Sequence, residues 1–267
     1  MTLAVLLKEG EQTLSKSGIP SARLDTLILL EDLLARDRSW LLAHPEVEVS
    51  AVQATGFRRK IKKRTTHEPL SYIRGFSDFY GRTFKVNRRV LVPRPESEAM
   101  IELLKTLELP KNPTIADIGT GTGCLGITAA LELHGAAVDL YDIDSSALAV
   151  ARHNAHLHEV HVGIHKRDLL NRPARRYDAL LANLPYVPDS WKLNEAAMHE
   201  PRLAQSGGKD GLDLYRRFFK QLETLGWDNL VVLTEALAPQ HEELARLAKT
   251  CGFGQLRTQG LIQVFSN

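Results

Sequence analysis

Beyond Pro113 the chain alternates short apolar runs with segments of helical periodicity, and this alternation restricts the fold more than any other feature. The runs are TIAD, AVDLYD, VGIH, YDALLAN, NLVVLTE and LIQVF. Between them stand a helix from Cys124, another after Asp144, one around 214–225 and one near 239–249. Strands that return through helices pair in parallel, because a parallel pair needs a long crossover, and the crossovers cover both faces of the sheet. An α/β sheet domain is therefore predicted, interrupted by one long polar stretch over 189–213.

The first part of the chain, to about His67, lacks this alternation. Leu3, Leu6, Leu7 and Leu14 fall near helical spacing, as do Leu24, Leu27, Ile28, Leu33 and Leu34. Gly18-Ile19-Pro20-Ser21 separates the two helices, with Ser21 placed to cap the second. A third helix is expected after Ser50, with Val52, Phe57 and Ile61 on one face and the basic run from Arg58 to Arg64 pointing mostly outward. FSDFYG, RTFKV and RVLV then read as short strands broken at Gly81 and at Asn87-Arg88, a β-hairpin between two domains. Pro93-Arg94-Pro95 stops the last strand and opens a helix through Ile101, Leu104 and Leu107, with Pro95 tolerated in the first turn. The expected boundaries are a helical domain at 1–75, a hairpin linker at 76–92 and the α/β domain at 93–267.

Composition narrows the functional classes. A chain of 267 residues, 43% hydrophobic, can bury one ordinary core and still carry a small appendage. A net charge of +2 makes no whole-surface field, so nucleic-acid binding would rest on a local patch. The run from Arg58 to Arg64 is the one such patch; it reads first as a solvated helix face and second as a docking surface for an acidic protein or RNA. The two cysteines, Cys124 and Cys251, make no disulfide framework and read as small core residues in a reducing cytoplasm. The N-terminal segment meets acidic residues too early for a signal peptide, and no apolar run is long enough to span a bilayer. His153, His156, His158, His161 and His165 straddle a helix end and a loop without partner cysteines, so no metal site is expected.

The strongest chemical signal is Asp117-Ile118-Gly119-Thr120-Gly121-Thr122-Gly123, which follows a buried-strand pattern and leads into a helix. Glycines let a backbone turn sharply and approach a ligand, and the helix start offers free N–H groups. The next strand ends in Asp142-Ile143, where a carboxylate can accept two ribose hydroxyls, as either a nicotinamide cofactor or S-adenosylmethionine requires. The third strand is followed by Asp168-Leu169, suited to an adenine amino group and ring face. Acids at three successive strand ends favour an adenosine bearing a sulfonium over a pyrophosphate. After the fourth strand comes Asn183-Leu184-Pro185-Tyr186: oxygen acceptors for a planar NH2 group, a stiffened backbone and an aromatic ring to pack on it. No strong base stands next to Asn183 in the chain.

Taken together these segments resemble the HemK/PrmC family of protein-(glutamine-N5) methyltransferases over nearly the whole chain. The matching pieces are His67 to Ile73 with Gly75, Phe76 to Gly81, Leu91 to Glu96 with Glu98, the glycine loop, Asn183 to Tyr186, Glu200 to Ala204, Gly208, and Asp210 to Tyr215. The resemblance implies a class I S-adenosylmethionine-dependent methyltransferase domain: Rossmann-like, with a mostly parallel seven-stranded sheet, and an N-terminal helical bundle joined by a β-hairpin. It implies that Asp117, Gly119 to Gly123, Asp142, Ile143, Asp168, Leu169 and Asn183 line S-adenosylmethionine and its product S-adenosylhomocysteine. Asn183, Leu184, Pro185 and Tyr186 would hold the target glutamine, which in that family belongs to the Gly-Gly-Gln tripeptide of a class 1 peptide-chain release factor. Arg94, Glu98 and Glu200 would shape the pocket mouth or else form interdomain ion pairs, and the helical domain would bind the release factor. A cytoplasmic monomer, without membrane or nucleic-acid partner, is expected.

Two departures from the family pattern stand out. Leu184 occupies a position that is usually proline, giving the version familiar from ribosomal-RNA adenine-N6 methyltransferases; the substrate contact expected there is the backbone carbonyl, which leucine retains. Thr234 to Ala238 replaces an acidic residue followed by isoleucine or histidine and glycine. The competing functions are therefore a nucleic-acid adenine-N6 methyltransferase and a non-catalytic cofactor-binding module.

Overall fold

A computed structural model describes residues 1–267, which form two compact units. The first comprises Met1–Gly75 with Leu193–His199, the second Phe76–Lys192 with Glu200–Asn267. The polar stretch is thus divided: His67 Nδ1 meets Glu195 Oε2 at 2.8 Å and the His199 ring meets the Thr66 carbonyl at 2.7 Å, so Leu193–His199 belongs with the helices and not with the sheet.

The first unit holds α1 (Leu3–Lys16), α2 (Ala22–Leu34), α3 (Arg38–Ala43), α4 (Ala51–Arg64) and α5 (Leu70–Arg74). Leu3, Leu6, Leu14, Leu27, Leu29, Leu30 and Phe57 are buried in one apolar cluster. Ser50 closes a capping box with Gln53 at the start of α4. Ser21 precedes α2 but makes no side-chain cap. Val52 is 83% exposed; Ala54 takes the place expected for it beside Phe57 and Ile61. The basic run is not all outward either, since Arg64 Nε donates to the buried Asp25 carboxylate at 2.7 Å. The short helices α3 and α5 carry too few residues to show a periodicity.

In the second unit β1 (Phe76–Phe79) and β2 (Arg82–Lys85) pair as an antiparallel hairpin. RVLV is not a third strand of it: 89–92 is irregular. Phe79 and Phe84 are buried with residues of the second unit's own helices, so the hairpin is part of that unit. A 3₁₀ turn at Pro95–Ser97 runs into α6 (Glu98–Lys105). There follow β3 (Thr114–Ile118), α7 (Cys124–Glu132), β4 (Ala137–Asp142), α8 (Ser145–Leu157), β5 (Gly163–Lys166), β6 (Ala179–Ala182), α9 (Asp213–Leu225), β7 (Val231–Glu235), α10 (His241–Thr250), β8 (Gly254–Gln259) and β9 (Ile262–Ser266).

The sheet has seven strands in the order β5-β4-β3-β6-β7-β9-β8, parallel through β7 and antiparallel at β9 and β8. β8 has no counterpart among the apolar runs because it is an edge strand exposed along its whole length. The order reverses between β4 and β6 around β3. In an open α/β sheet a ligand crevice opens at such a reversal, outside the carboxyl ends of the strands. No helix is long and apolar enough to cross a membrane.

Candidate active site

A cavity of about 210 Å³ opens at that reversal, walled by the ends of β3, β4, β5 and β6 and by the 89–94 segment. Gly119, Thr120, Gly121 and Thr122 form its floor. Gly119 and Gly121 hold φ of +72° and +55°, a left-handed conformation that a side chain disfavours, and no protein atom lies within 4 Å of the place a Cβ would take at Gly121. The loop is a bare backbone cradle beside the start of α7. Asp142 reinforces it: Oδ2 accepts from Gly121 N at 3.0 Å and Oδ1 from Asp144 N at 2.9 Å. Burial pushes the Asp142 carboxyl up, and these backbone donors pull it back.

Ile143, Asp168, Leu169, Asn183, Leu184, Pro185 and Arg94 also line the cavity. Asp168 is not free to face a ligand alone, because Arg217 Nη2 of α9 donates to its Oδ2 at 2.5 Å. Arg217, the wall residues Arg89, Val90 and Leu91, and Leu203 and Leu214 were not foreseen; their positions depend on loop and helix placements that no local motif encodes.

Several expected residues lie elsewhere. Asp117 is 1% exposed and stands apart from the cavity, where it accepts from Thr120 Oγ1 at 2.5 Å and from Gly126 N at 2.9 Å. It ties the loop to the first turn of α7. Its carboxyl is raised to about 6 by burial, with the Thr120 and Gly126 bonds opposing and Asp142 adding to the rise. Gly123 faces inward, since a Cβ there would lie 2.8 Å from Ile127 Cδ1. Cys124, expected in the core, is half-buried and lines the cavity. Glu98 is drawn away by the hairpin, its Oε1 accepting from Tyr80 N at 2.7 Å. Glu200 is buried beneath the wall, accepting from Val92 N at 3.3 Å, Arg94 Nη2 at 2.5 Å and Gln205 Nε2 at 3.1 Å. Arg94 and Glu200 thus pair inside the second unit, which excludes an interdomain role for this bridge.

The Asn183–Tyr186 segment leaves β6 between two supports. Tyr215 of α9 places its hydroxyl 2.9 Å from the Ala182 carbonyl, 2.6 Å from the Glu235 carbonyl and 3.3 Å from Leu184 N. On its other side Val187 N donates to Gln205 O and Gly207 N to Val187 O, both at 2.9 Å. The Leu184 side chain is 2% exposed and packed in the sheet's core, while no protein group donates to its carbonyl. Asn183 Nδ2 donates to Ser97 Oγ at 3.1 Å, leaving the carboxamide oxygen without a protein donor. Tyr186 does not line the cavity; its hydroxyl donates to Glu235 Oε1 at 2.9 Å. Burial, with the Glu235 carboxylate beside it, raises the Tyr186 phenol, so it stays neutral at physiological pH. Glu235 is the acid that chain order hid: it arrives from the end of β7, some fifty residues away, because β7 is the parallel neighbour of β6.

Of the five histidines, His165 meets Asp139 Oδ1 and His158 the Thr83 carbonyl, each at 3.0 Å.

A glycine cradle at the reversal point, an acid closing the next strand and a buried-backbone asparagine motif on the far side define an S-adenosylmethionine-dependent methyltransferase. A family model described as the PrmC N-terminal domain matches residues 5–75, and one described as the methyltransferase small domain matches 97–202. The release factor glutamine methyltransferase of Coxiella burnetii is 33% identical over 260 residues, covering 94% of this chain and 92% of that protein. That of Moorella thermoacetica is 38% identical over 226 residues, covering 81% and 78%. A methyltransferase of known structure from Pyrococcus furiosus shares the fold, with a TM-score of 0.51 at 14% identity over 78% of this chain and 94% of that one. The chain belongs to the release factor glutamine methyltransferase family.

Proposed function

We propose that the protein methylates the side-chain amide nitrogen, N5, of the glutamine in the Gly-Gly-Gln tripeptide of a class 1 peptide-chain release factor. One observation carries the choice of an NH2 acceptor: the consecutive residues Asn183 and Leu184 both line the cavity, and no protein group donates to the Asn183 carboxamide oxygen or to the Leu184 carbonyl. Two acceptors on consecutive residues match the two protons of one amide.

S-adenosylmethionine, when bound, supplies an electrophilic methyl group. The cradle of Gly119 to Thr122 fits its polar end, Asp142 the ribose hydroxyls, and Asp168 with Leu169 the adenine. An amide nitrogen is a weak nucleophile because its lone pair is shared with the carbonyl. With both protons held by Asn183 and Leu184, electron density on nitrogen rises and the orientation of the amide is fixed. The cofactor, when bound, would supply the methyl for that nitrogen with S-adenosylhomocysteine as the leaving group, and one amide proton would be lost to water. Catalysis is then positioning and electrostatics, without a general base. The helical unit serves as the release-factor dock, and the enzyme acts as a cytoplasmic monomer.

The test is transfer of radiolabelled methyl to a purified class 1 release factor, beside the same factor with the Gly-Gly-Gln glutamine changed to alanine, and beside unmodified RNA. Label that disappears with the alanine change supports the reading; label on RNA alone replaces it with an adenine methyltransferase. Asn183→Ala should lower kcat by roughly 10²–10³-fold, the scale of losing one preorganised electrostatic contact, with little change in cofactor affinity. Turnover within a few-fold of the parent would exclude this mechanism.

A further inference from the structure

Asn183 can receive an amide N–H in only one of its two carboxamide orientations. With the oxygen toward the cavity it accepts; flipped, it would present its own NH2 to the substrate's NH2. The two orientations have nearly the same shape, so packing alone does not choose between them. The choice has to come from hydrogen-bonding groups behind the side chain.

Ser97, the last residue of the 3₁₀ turn before α6, is 3% exposed, and its hydroxyl receives Asn183 Nδ2 at 3.1 Å. A hydroxyl can donate or accept, so Ser97 by itself tolerates both orientations. Glu235 removes that freedom. It is 1% exposed; Oε1 takes the Tyr186 hydroxyl at 2.9 Å, and Oε2 is buried with no hydrogen bond closed onto it. Burial raises the Glu235 carboxyl, the charge of Glu96 adds to the rise, and the Ser97 hydroxyl, the Tyr186 hydroxyl and the Asn183 side chain oppose it. An ionised carboxylate only accepts. Facing a carboxylate at Glu235, Ser97 would turn its hydrogen toward it and its lone pair toward Asn183, which matches the Asn183 Nδ2 to Ser97 Oγ bond.

We propose that Ser97, on the wall of the cavity, and Glu235, set behind it, are positioning residues that hold the Asn183 carboxamide oxygen toward the substrate amide and the Tyr186 ring in place. The inference rests on the reading of Asn183 given above. Ser97 acts through Asn183, and Glu235, which does not line the cavity, through Ser97, Asn183 and Tyr186.

The experiment compares Ser97→Ala, Ser97→Thr, Glu235→Gln, Asn183→Ala and the Ser97→Ala/Asn183→Ala pair, measuring steady-state methylation of a release factor, cofactor affinity by calorimetry and thermal midpoints. Ser97→Ala and Glu235→Gln should lower kcat by roughly 10- to 100-fold with KM and cofactor Kd changed by less than about 3-fold, as expected when an interaction made only in the transition state is lost. Ser97→Thr, which keeps the hydroxyl, should retain kcat within about 3-fold, and Ser97→Ala should add less than about 3-fold to Asn183→Ala, because a positioning group has nothing left to position. A kcat within about 3-fold of the parent for both Ser97→Ala and Glu235→Gln, with Asn183→Ala crippled, would overturn the inference and leave the reading of Asn183 intact. So would an equal loss from Ser97→Ala in the presence and absence of Asn183. An active Asn183→Ala enzyme would instead sink the reading itself, and the inference with it.

Discussion

Replacing Leu184 by proline separates what this residue does for the fold from what it does for the reaction. Leu184 N donates a long bond, 3.3 Å, to the Tyr215 hydroxyl, which keeps the Ala182 and Glu235 carbonyls as partners when that donor is removed. Losing so long a bond costs about 0.5–1 kcal/mol. The buried leucine side chain gives way to a ring smaller by about one methyl, worth about 1 kcal/mol with the small void included. Against this, proline restricts the unfolded chain and returns about 0.5–1 kcal/mol. Leu184 does not hold the positive φ that would bar proline, and proline there would push the residue before it toward extended backbone. The net loss should be about 1 kcal/mol, seen as a fall in thermal midpoint of roughly 2–4 °C. Activity should follow the carbonyl, which proline retains, so kcat on a release factor should stay within about 3-fold of the parent. A drop of roughly 10-fold or more in kcat, with a stability loss of only about 1 kcal/mol, would instead show that the leucine side chain or its N–H takes part in the reaction.

Other consequences follow from the same geometry. Gly126→Ala would set a Cβ 2.3 Å from Leu140 Cδ2 and 2.9 Å from Asp117 Cβ, and overpacking of this kind should destabilise by about 1–3 kcal/mol in urea denaturation. Asp117, raised from 3.8 to about 6, binds its proton more tightly folded than unfolded, so its contribution to stability is highest below pH 3.8 and declines as pH rises toward 6. Across that window the decline is at most about 3 kcal/mol, and it should be absent from the pH dependence of urea midpoints in Asp117→Asn. Arg94→Ala would leave Glu200, whose side chain is 1% exposed, buried without its cation. Because the Arg94 side chain is itself 42% exposed, the loss should be about 1–3 kcal/mol, below that for a fully buried pair, and the Arg94→Ala/Glu200→Gln pair should recover part of it.

Much of this protein was legible in local pattern. Six of the seven sheet strands, the helices between them and the glycine turn announce themselves because parallel strands are apolar along their length and a bare cradle requires Gly119 and Gly121. Asp142 and Asn183 could be named in advance because the crevice of an open α/β sheet lies at strand ends, and strand ends are readable. The exposed edge strand Gly254–Gln259 was not, since nothing apolar marks it. Nor could the chain alone assign the acids and bases around the site. Asp117 and Asp142 both end apolar runs, yet one is turned under the loop and the other toward the cavity; Asp168 acquires Arg217 only when α9 packs across the sheet. Glu235 reaches Tyr186, and Ser97 reaches Asn183 from 86 residues away, because β6 and β7 are neighbours and the turn before α6 closes over both. Residue type and spacing along one strand determine which backbone can bend around a ligand; which side chains end up facing each other across strands is decided by sheet order and helix packing, and that order exists only in the folded molecule.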